Sequence, residues 1–234
     1  MYMKLKLYIF RHGQTFYNKS HVFTGWKDSK LTSQGYKDAR KVALKLKNKR
    51  IDVAYHTHLS RSKATLKEVL KYHPECKQVI EDDRHIERSY GIYQGKHHSS
   101  IIDEEGIDSY KTLLQWHKID HLSGKERKEF VQKLGEAELQ VIRRSYSVAP
   151  PKGESVKMVG IRVLPFIKDV LKKMRKEKVN VAISSHGNAM RPLRKYFEKL
   201  SIKQMMELEN PWDNYFEYTI EVKDEKKKPE RTKK

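Results

Sequence analysis

Short apolar runs alternate with helical stripes along the chain. Leu5 to Phe10 is rich in aliphatic and aromatic residues and predicts a first buried strand. Leu31-Thr32-Ser33-Gln34-Gly35 then opens a helix, with Thr32 or Ser33 available as its cap. Ala39, Val42, Ala43 and Leu46 follow at helical spacing. Val53 to Tyr55 reads as a short strand, Ser60 to Tyr72 as a second helix, and Val79-Ile80 as a third strand. The stretch from Ile101 to Ile142 is mostly helical and polar, interrupted near Gly124. Val163 to Met174 is an amphipathic helix and Val179 to Ile183 a buried strand. Met190, Leu193, Phe197 and Leu200 mark one face of another helix, and Tyr215 to Val222 is a last strand. Repeated strand–helix order predicts an α/β fold: a three-layer αβα sandwich around a mostly parallel open sheet, with an inserted helical segment at about 100–140. Residues 1–222 read as a single domain. The apolar pattern stops after Lys223, so 223–234 reads as a basic, disordered tail.

Composition narrows the classes. The 234 residues are 37% hydrophobic and 34% charged, which suits a globular chain with a polar surface. No run of about 18 apolar residues is present, so no membrane span is expected, and Met1 to Phe10 lacks the shape of a signal peptide. Cys76 is the only cysteine, which rules out an intrachain disulfide and makes a reducing cytoplasm the plain expectation. The net charge of +20 attracts anions. The tail holds seven basic and three acidic residues, so most of the excess is spread through the body. No nucleic-acid motif or aromatic-basic repeat occurs, so nucleic acid is not the expected partner. A small phosphorylated molecule is, and the chain could form a homo-oligomer.

Two histidines stand just past strands. His12 follows Leu5–Phe10 and His186 follows Val179–Ile183, each preceding a glycine, Gly13 or Gly187. Open α/β sheets collect ligands beyond the carboxyl ends of their strands. Arg11 adjoins the first histidine, and Arg61 opens the helix after Val53–Tyr55, so two imidazoles and two guanidiniums could meet over one anion. His117 and His121 are spaced as metal ligands at i and i+4, but in so polar a stretch they read as surface residues, and no metal site is expected. Gly91-x-x-x-Gly95-Lys96 is one residue short of a nucleotide-binding P-loop and lacks the Ser or Thr that should follow.

Together these residues resemble the histidine phosphatase superfamily, whose opening motif is Arg-His-Gly. Further segments resemble its cofactor-dependent phosphoglycerate mutase branch. They are Arg11-His12-Gly13-Gln14-Thr15 with Asn18, Phe23-Thr24-Gly25-Trp26, Leu59-x-Arg61, Glu87-Arg88-x-Tyr90-Gly91, Arg143-Arg144, Pro150-Pro151, Gly153-Glu154-Ser155 and His186-Gly187-Asn188. The resemblance implies a phosphoglycerate mutase that interconverts 2- and 3-phosphoglycerate. His12 would become phosphohistidine, 2,3-bisphosphoglycerate would be the phosphoryl primer, and no metal would take part. Arg11, Arg61 and His186 would hold the transferring group and Glu87 would be the general acid and base. Asn18, Thr24, Gly25, Tyr90, His98, Arg143, Arg144, Gly187 and Asn188 would bind substrate, and the segment at about 100–140 would cap the site.

Physical chemistry agrees with that division. Phosphoryl transfer needs alignment and positive charge, the nucleophilic imidazole must be neutral, and an alkoxide leaving group needs a proton. His186, beside a phosphate dianion, is expected to favour its charged form. His98 stands where the family has a lysine. As an ordinary histidine it would weaken substrate binding between pH 6 and 8 by losing its charge. Pro211-Trp212-Asp213 replaces the family's Thr-Gly pair. The same residues would also serve a phosphatase, in which water attacks the phosphohistidine. A non-catalytic polyanion-binding protein would account for the charge but not for a carboxylate set among anion ligands.

Overall fold

The computed structural model describes residues 2–116, 119 and 122–223. The tail at 224–234 and the pair His117 and His121 lie outside the described residues. The first strand, β1 (Tyr2–Arg11), is buried on both faces. Leu5, Leu7 and Ile9 enter one apolar cluster, and Tyr8 and Phe10 the opposite one. This two-sided burial explains why the strand reads as a continuous apolar run. A one-turn helix, α1 (Phe16–Lys19), follows, then α2 (Ser33–Leu46), whose cap Thr32 accepts the Gly35 N–H at 3.0 Å. Next come β2 (Val53–His56), α3 (Ser60–Leu70) and β3 (Gln78–Glu81). Two 3₁₀ turns, Asp83–His85 and Gly91–Tyr93, lead to α4 (His98–Trp116) and α5 (Gly124–Arg144). The chain ends on α6 (Val156–Glu177), β4 (Val181–Ser185), α7 (Gly187–Glu198), α8 (Ile202–Glu207) and β5 (Tyr215–Lys223).

The strand order is β3-β2-β4-β1-β5. β1 to β4 are parallel and β5 runs antiparallel along β1. Val163, Phe166, Ile167 and Val170 of α6, with Met190 and Leu193 of α7, cover one face of the sheet. Val42, Ala43 and Leu46 of α2, with Leu66 and Val69 of α3, cover the other. The expected three layers and mostly parallel sheet are therefore present. Burying each large side chain of this kind contributes about 1.5–3 kcal/mol. No described helix is long and apolar enough to cross a membrane.

Several boundaries differ from expectation, the start of α6 the most. α6 starts at Val156, capped by Ser155, well before Val163. Pro165 lies inside it, within the stretch already read as helical. It is tolerated because the backbone bond it forfeits would reach Ile161, which is 68% exposed. β4 runs to Ser185 because Ser184 and Ser185 pair with Phe10 and Arg11, although their side chains are not apolar. The inserted segment is a helical hairpin. α4 and α5 cross so closely that a Cβ on Gly135 would overlap the Ile102 carbonyl. Ile101, Leu139 and Ile142 from the hairpin join Phe23 and Tyr93 in a third apolar cluster, which seats the hairpin beside the carboxyl ends of the strands.

Candidate active site

Register brings the two histidines together. Arg11 of β1 stands opposite Ser185 of β4, so the next residue of each strand emerges at the same level. The His12 N–H donates to the Ser185 carbonyl at 3.1 Å, and the two ring centroids are 5.1 Å apart. Between β1 and β4 the following helices part to opposite faces, α2 to one and α7 to the other, which opens the crevice where open sheets bind ligands. Glu87 enters from the loop after β3. Ligand atoms of His12, Glu87 and His186 all lie within 4.8 Å of one another.

His12 Nδ1 lies 2.8 Å from the Gly13 carbonyl. A carbonyl only accepts, so Nδ1 carries the proton and Nε2 keeps its lone pair. Burial, then Arg61 and Arg11, push the His12 pKa well below 6.5, so the ring is neutral near pH 7. Arg61 is 1% exposed and donates to the carbonyls of Gly25 at 2.7 Å and Lys27 at 3.0 Å. Burial lowers its pKa to about 10, which leaves it charged. The Gly25 carbonyl is available because Gly25 adopts φ +53°, and a Cβ there would overlap the Gln94 side chain. Arg11 donates to the Asn210 carbonyl at 3.2 Å and lies over the Trp212 ring at 5.1 Å. Among the described residues, both arginines retain an unpartnered buried Nε, and the buried Thr24 hydroxyl is also without a partner. Buried cations with unspent donors are costly unless an anion completes them.

Glu87 is held at both ends. Its Oε1 accepts the Arg88 and Asn188 N–H groups at 2.8 and 3.1 Å. Its carbonyl accepts Trp26 Nε1 at 2.7 Å and Arg162 Nη2 at 2.9 Å. Arg162 also grips the Ile86 carbonyl and the Glu154 carboxylate, which in turn accepts the Ser89 N–H. The carboxylate is thus fixed beside His12 rather than free to swing.

A cavity of about 340 Å³ opens over these groups. Arg11, His12, Arg61, Glu87, Asn18, Thr24, Gly25, Tyr90, His98, Arg143, Arg144, Gly187 and Asn188 all line it. His186 lies behind this lining, fully buried, with Nε2 2.9 Å from the Thr57 hydroxyl and Nδ1 unpartnered among the described residues. Arg143 and Arg144 sit in the last turn of α5. That turn is tied down by Arg88, whose Nη2 donates to the Ile142 carbonyl at 2.8 Å. Asn188 Nδ2 donates to the Tyr90 hydroxyl at 3.1 Å.

One electrostatic expectation needs correction. His98 does line the cavity, but burial and Arg143 lower its pKa to about 4, so it is uncharged between pH 6 and 8 and is no substitute for a permanent cation. Burial, Arg61 and His12 hold His186 well below 6.5, so the protein's own groups favour the neutral ring, whereas the charged form is expected only beside a phosphate dianion. Several cavity or support residues escaped the sequence reading: Thr57, Arg162, Arg191, Glu209, Asn210 and Trp212. Trp212 did carry a signal, in the Pro211-Trp212-Asp213 departure. Thr57 carried none, since a hydroxyl at a strand end is commonplace.

His12, Glu87 and His186 could also approach a metal ion, yet Arg11 and Arg61 in the same cavity oppose a cation. An anion matches the charge. One consequence concerns acid stability. His12, His186 and His85 are buried with depressed pKa values, that of His85 falling to about 3. In the unfolded chain each titrates near 6.5, so below that pH the unfolded state binds more protons. Stability is therefore full above about pH 6.5 and falls as the pH is lowered toward 3. Urea midpoints should be lower at pH 5 than at pH 7.5, and His85→Phe, which keeps the ring stacked on Phe166, should reduce that difference.

A family model described as histidine phosphatase superfamily (branch 1) matches residues 7–121 and 115–233. The chain is 33% identical to a 2,3-bisphosphoglycerate-dependent phosphoglycerate mutase of Chlamydia caviae, over 88% of this chain and 89% of that protein. It is 35% identical to one of Parvibaculum lavamentivorans, over 86% and 84%. The fold is similar to that of a Bacillus anthracis phosphoglycerate mutase, at 21% identity, a TM-score of 0.62 and coverage of 92% and 88%. It is also similar to that of a mycobacterial glucosyl-3-phosphoglycerate phosphatase, at 21% identity, a TM-score of 0.67 and coverage of 93% and 91%.

Proposed function

The chain belongs to the histidine phosphatase superfamily, and from that premise we propose that it is a phosphoglycerate mutase working through a phosphohistidine at His12. The observation that carries this reading is the set at the cavity floor: a neutral His12 with a free Nε2, a fixed Glu87 carboxylate and two incompletely paired buried arginines. The mutase names of the relatives, at one-third identity over most of both chains, favour phosphoglycerate as substrate.

In the first half-reaction the Nε2 lone pair attacks phosphorus, the phosphorus–oxygen ester bond breaks, and the departing alkoxide takes a proton from the Glu87 carboxyl. In the second, Glu87 takes a proton from the acceptor hydroxyl, that oxygen attacks phosphorus, and the N–P bond breaks to regenerate His12. Arg11 and Arg61 offset the charge on the equatorial oxygens and the Gly13 carbonyl holds the nucleophilic tautomer. Arg143, Arg144 and Arg191 line the cavity as well and suit a second anionic group. A 2,3-bisphosphoglycerate primer fits this distribution of cations, with Arg11 and Arg61 for one phosphate and the α5 arginines for the other. It would supply the phosphoryl group that first charges His12.

A second reading, a phosphatase, is favoured by the uncharged His98 and by the Glu209 carboxylate in the cavity wall, both of which weaken the grip on a substrate's distal anion. Following 3-phosphoglycerate by ³¹P NMR, with catalytic 2,3-bisphosphoglycerate and a chelator present, separates the two. The proposal expects 2-phosphoglycerate to form well ahead of inorganic phosphate. Phosphate release without isomerisation would establish the phosphatase instead.

A further inference from the structure

Past the end of β2, Thr57 is fully buried and pinned from several sides. Its N–H donates to the Ser62 hydroxyl at 3.2 Å, and Ser62 donates to the Ser184 carbonyl at 2.7 Å. The Ser184 hydroxyl returns a bond to the Ser62 carbonyl at 2.9 Å. This brace ties the start of α3 to the end of β4 and sets the Thr57 hydroxyl 2.9 Å from His186 Nε2. Among the described residues, Nε2 is the only partner of that hydroxyl. A hydroxyl proton in a dry interior needs an acceptor, and this nitrogen is the one within reach. The hydroxyl therefore donates, Nε2 accepts, and the proton of a neutral His186 resides on Nδ1. Among the described residues Nδ1 is the ring nitrogen with no partner, so it is the one left to meet a ligand.

We propose that Thr57 is a positioning residue that fixes His186 as the Nδ1–H tautomer, so that an uncharged imidazole presents a hydrogen-bond donor, rather than a lone pair, to a phosphoryl oxygen. The inference rests on the reading that the cavity receives a phosphoryl group. It accounts for how a ring held neutral by burial and by two arginines still serves as an anion ligand. It also divides the labour of the two histidines. The Gly13 carbonyl leaves His12 a lone pair for attack, and the Thr57 hydroxyl leaves His186 a proton for binding.

The test combines ¹⁵N NMR of histidine-labelled protein with binding of vanadate. In the wild type, the His186 signals, assigned by their loss in His186→Gln, should show the proton on Nδ1. Thr57→Val keeps the side-chain shape and removes the donor. It should move the proton to Nε2 and weaken vanadate binding about tenfold. Thr57→Ser should retain the tautomer and bind within about threefold of wild type. A wild-type ring protonated on Nε2 would overturn the proposal whatever the variants do. So would a Thr57→Val protein that binds vanadate as wild type does. A wild type that binds no vanadate would remove the phosphoryl reading, while a tautomer that shifts in Thr57→Val would still establish the hydroxyl's control of the ring.

Discussion

Replacing His12 by alanine is expected to lower turnover of every phosphoryl substrate by more than a thousandfold, for transfer and hydrolysis alike. The magnitude follows from removing a covalent nucleophile, a loss that its neighbours do not repair. None of the other groups at the cavity floor can take over. Arg11 and Arg61 remain charged, Glu87 is held by two backbone N–H groups, and His186 has one ring nitrogen engaged by Thr57. The alanine protein should still fold, because the removed ring makes one local hydrogen bond, donated to the carbonyl of its own neighbour Gly13. It should still bind vanadate, since the cationic donors persist. Steady-state assays with 3-phosphoglycerate and with an aryl phosphate check this. Retention of even a hundredth of the wild-type rate would remove His12 from the nucleophile's role.

The second large effect separates proton transfer from positioning at Glu87. Glu87→Gln preserves an oxygen for the Arg88 and Asn188 N–H groups but cannot exchange a proton. General acid–base assistance typically contributes about 10² to 10⁴-fold, so turnover of phosphoglycerate should fall by that factor. An aryl oxide leaves with little need of a proton, so phosphohistidine formation from p-nitrophenyl phosphate by the same variant, read as the first burst of p-nitrophenol, should fall less than about tenfold. Equal losses on the two substrates would mean that the carboxylate orients groups and does not protonate them.

These expectations draw on residues of uneven visibility in the sequence. His12 and His186 could be paired on paper because each follows an apolar run and precedes a glycine, and parallel strands place such positions at one edge of a sheet. Their actual closeness depends on β4 lying directly beside β1, and strand order is a long-range property that no local pattern encodes. Arg61 was legible as the opening of a helix after a strand. Its two carbonyl partners were not, because they require the positive φ of Gly25. The roles of Glu87, Arg143 and Arg144 came from family resemblance alone. What joins them physically is Arg88, which sits next to Glu87 and grips the end of α5. His98 shows the limit from the other side. Its place in the cavity was anticipated, but its charge was not, because desolvation and Arg143 act only once the chain is folded. The start of α6 lies seven residues before the apolar stripe that marked it, where Ser155 caps the helix.

The central claim, that phosphoryl groups pass through His12, is tested most directly by rapid quenching of the enzyme after mixing with one equivalent of ³²P-labelled 2,3-bisphosphoglycerate. The account predicts an acid-labile, base-stable label on the His12 peptide that disappears when 3-phosphoglycerate is added, at a rate no slower than steady turnover. No label on His12, or a label that persists while product forms, would contradict it.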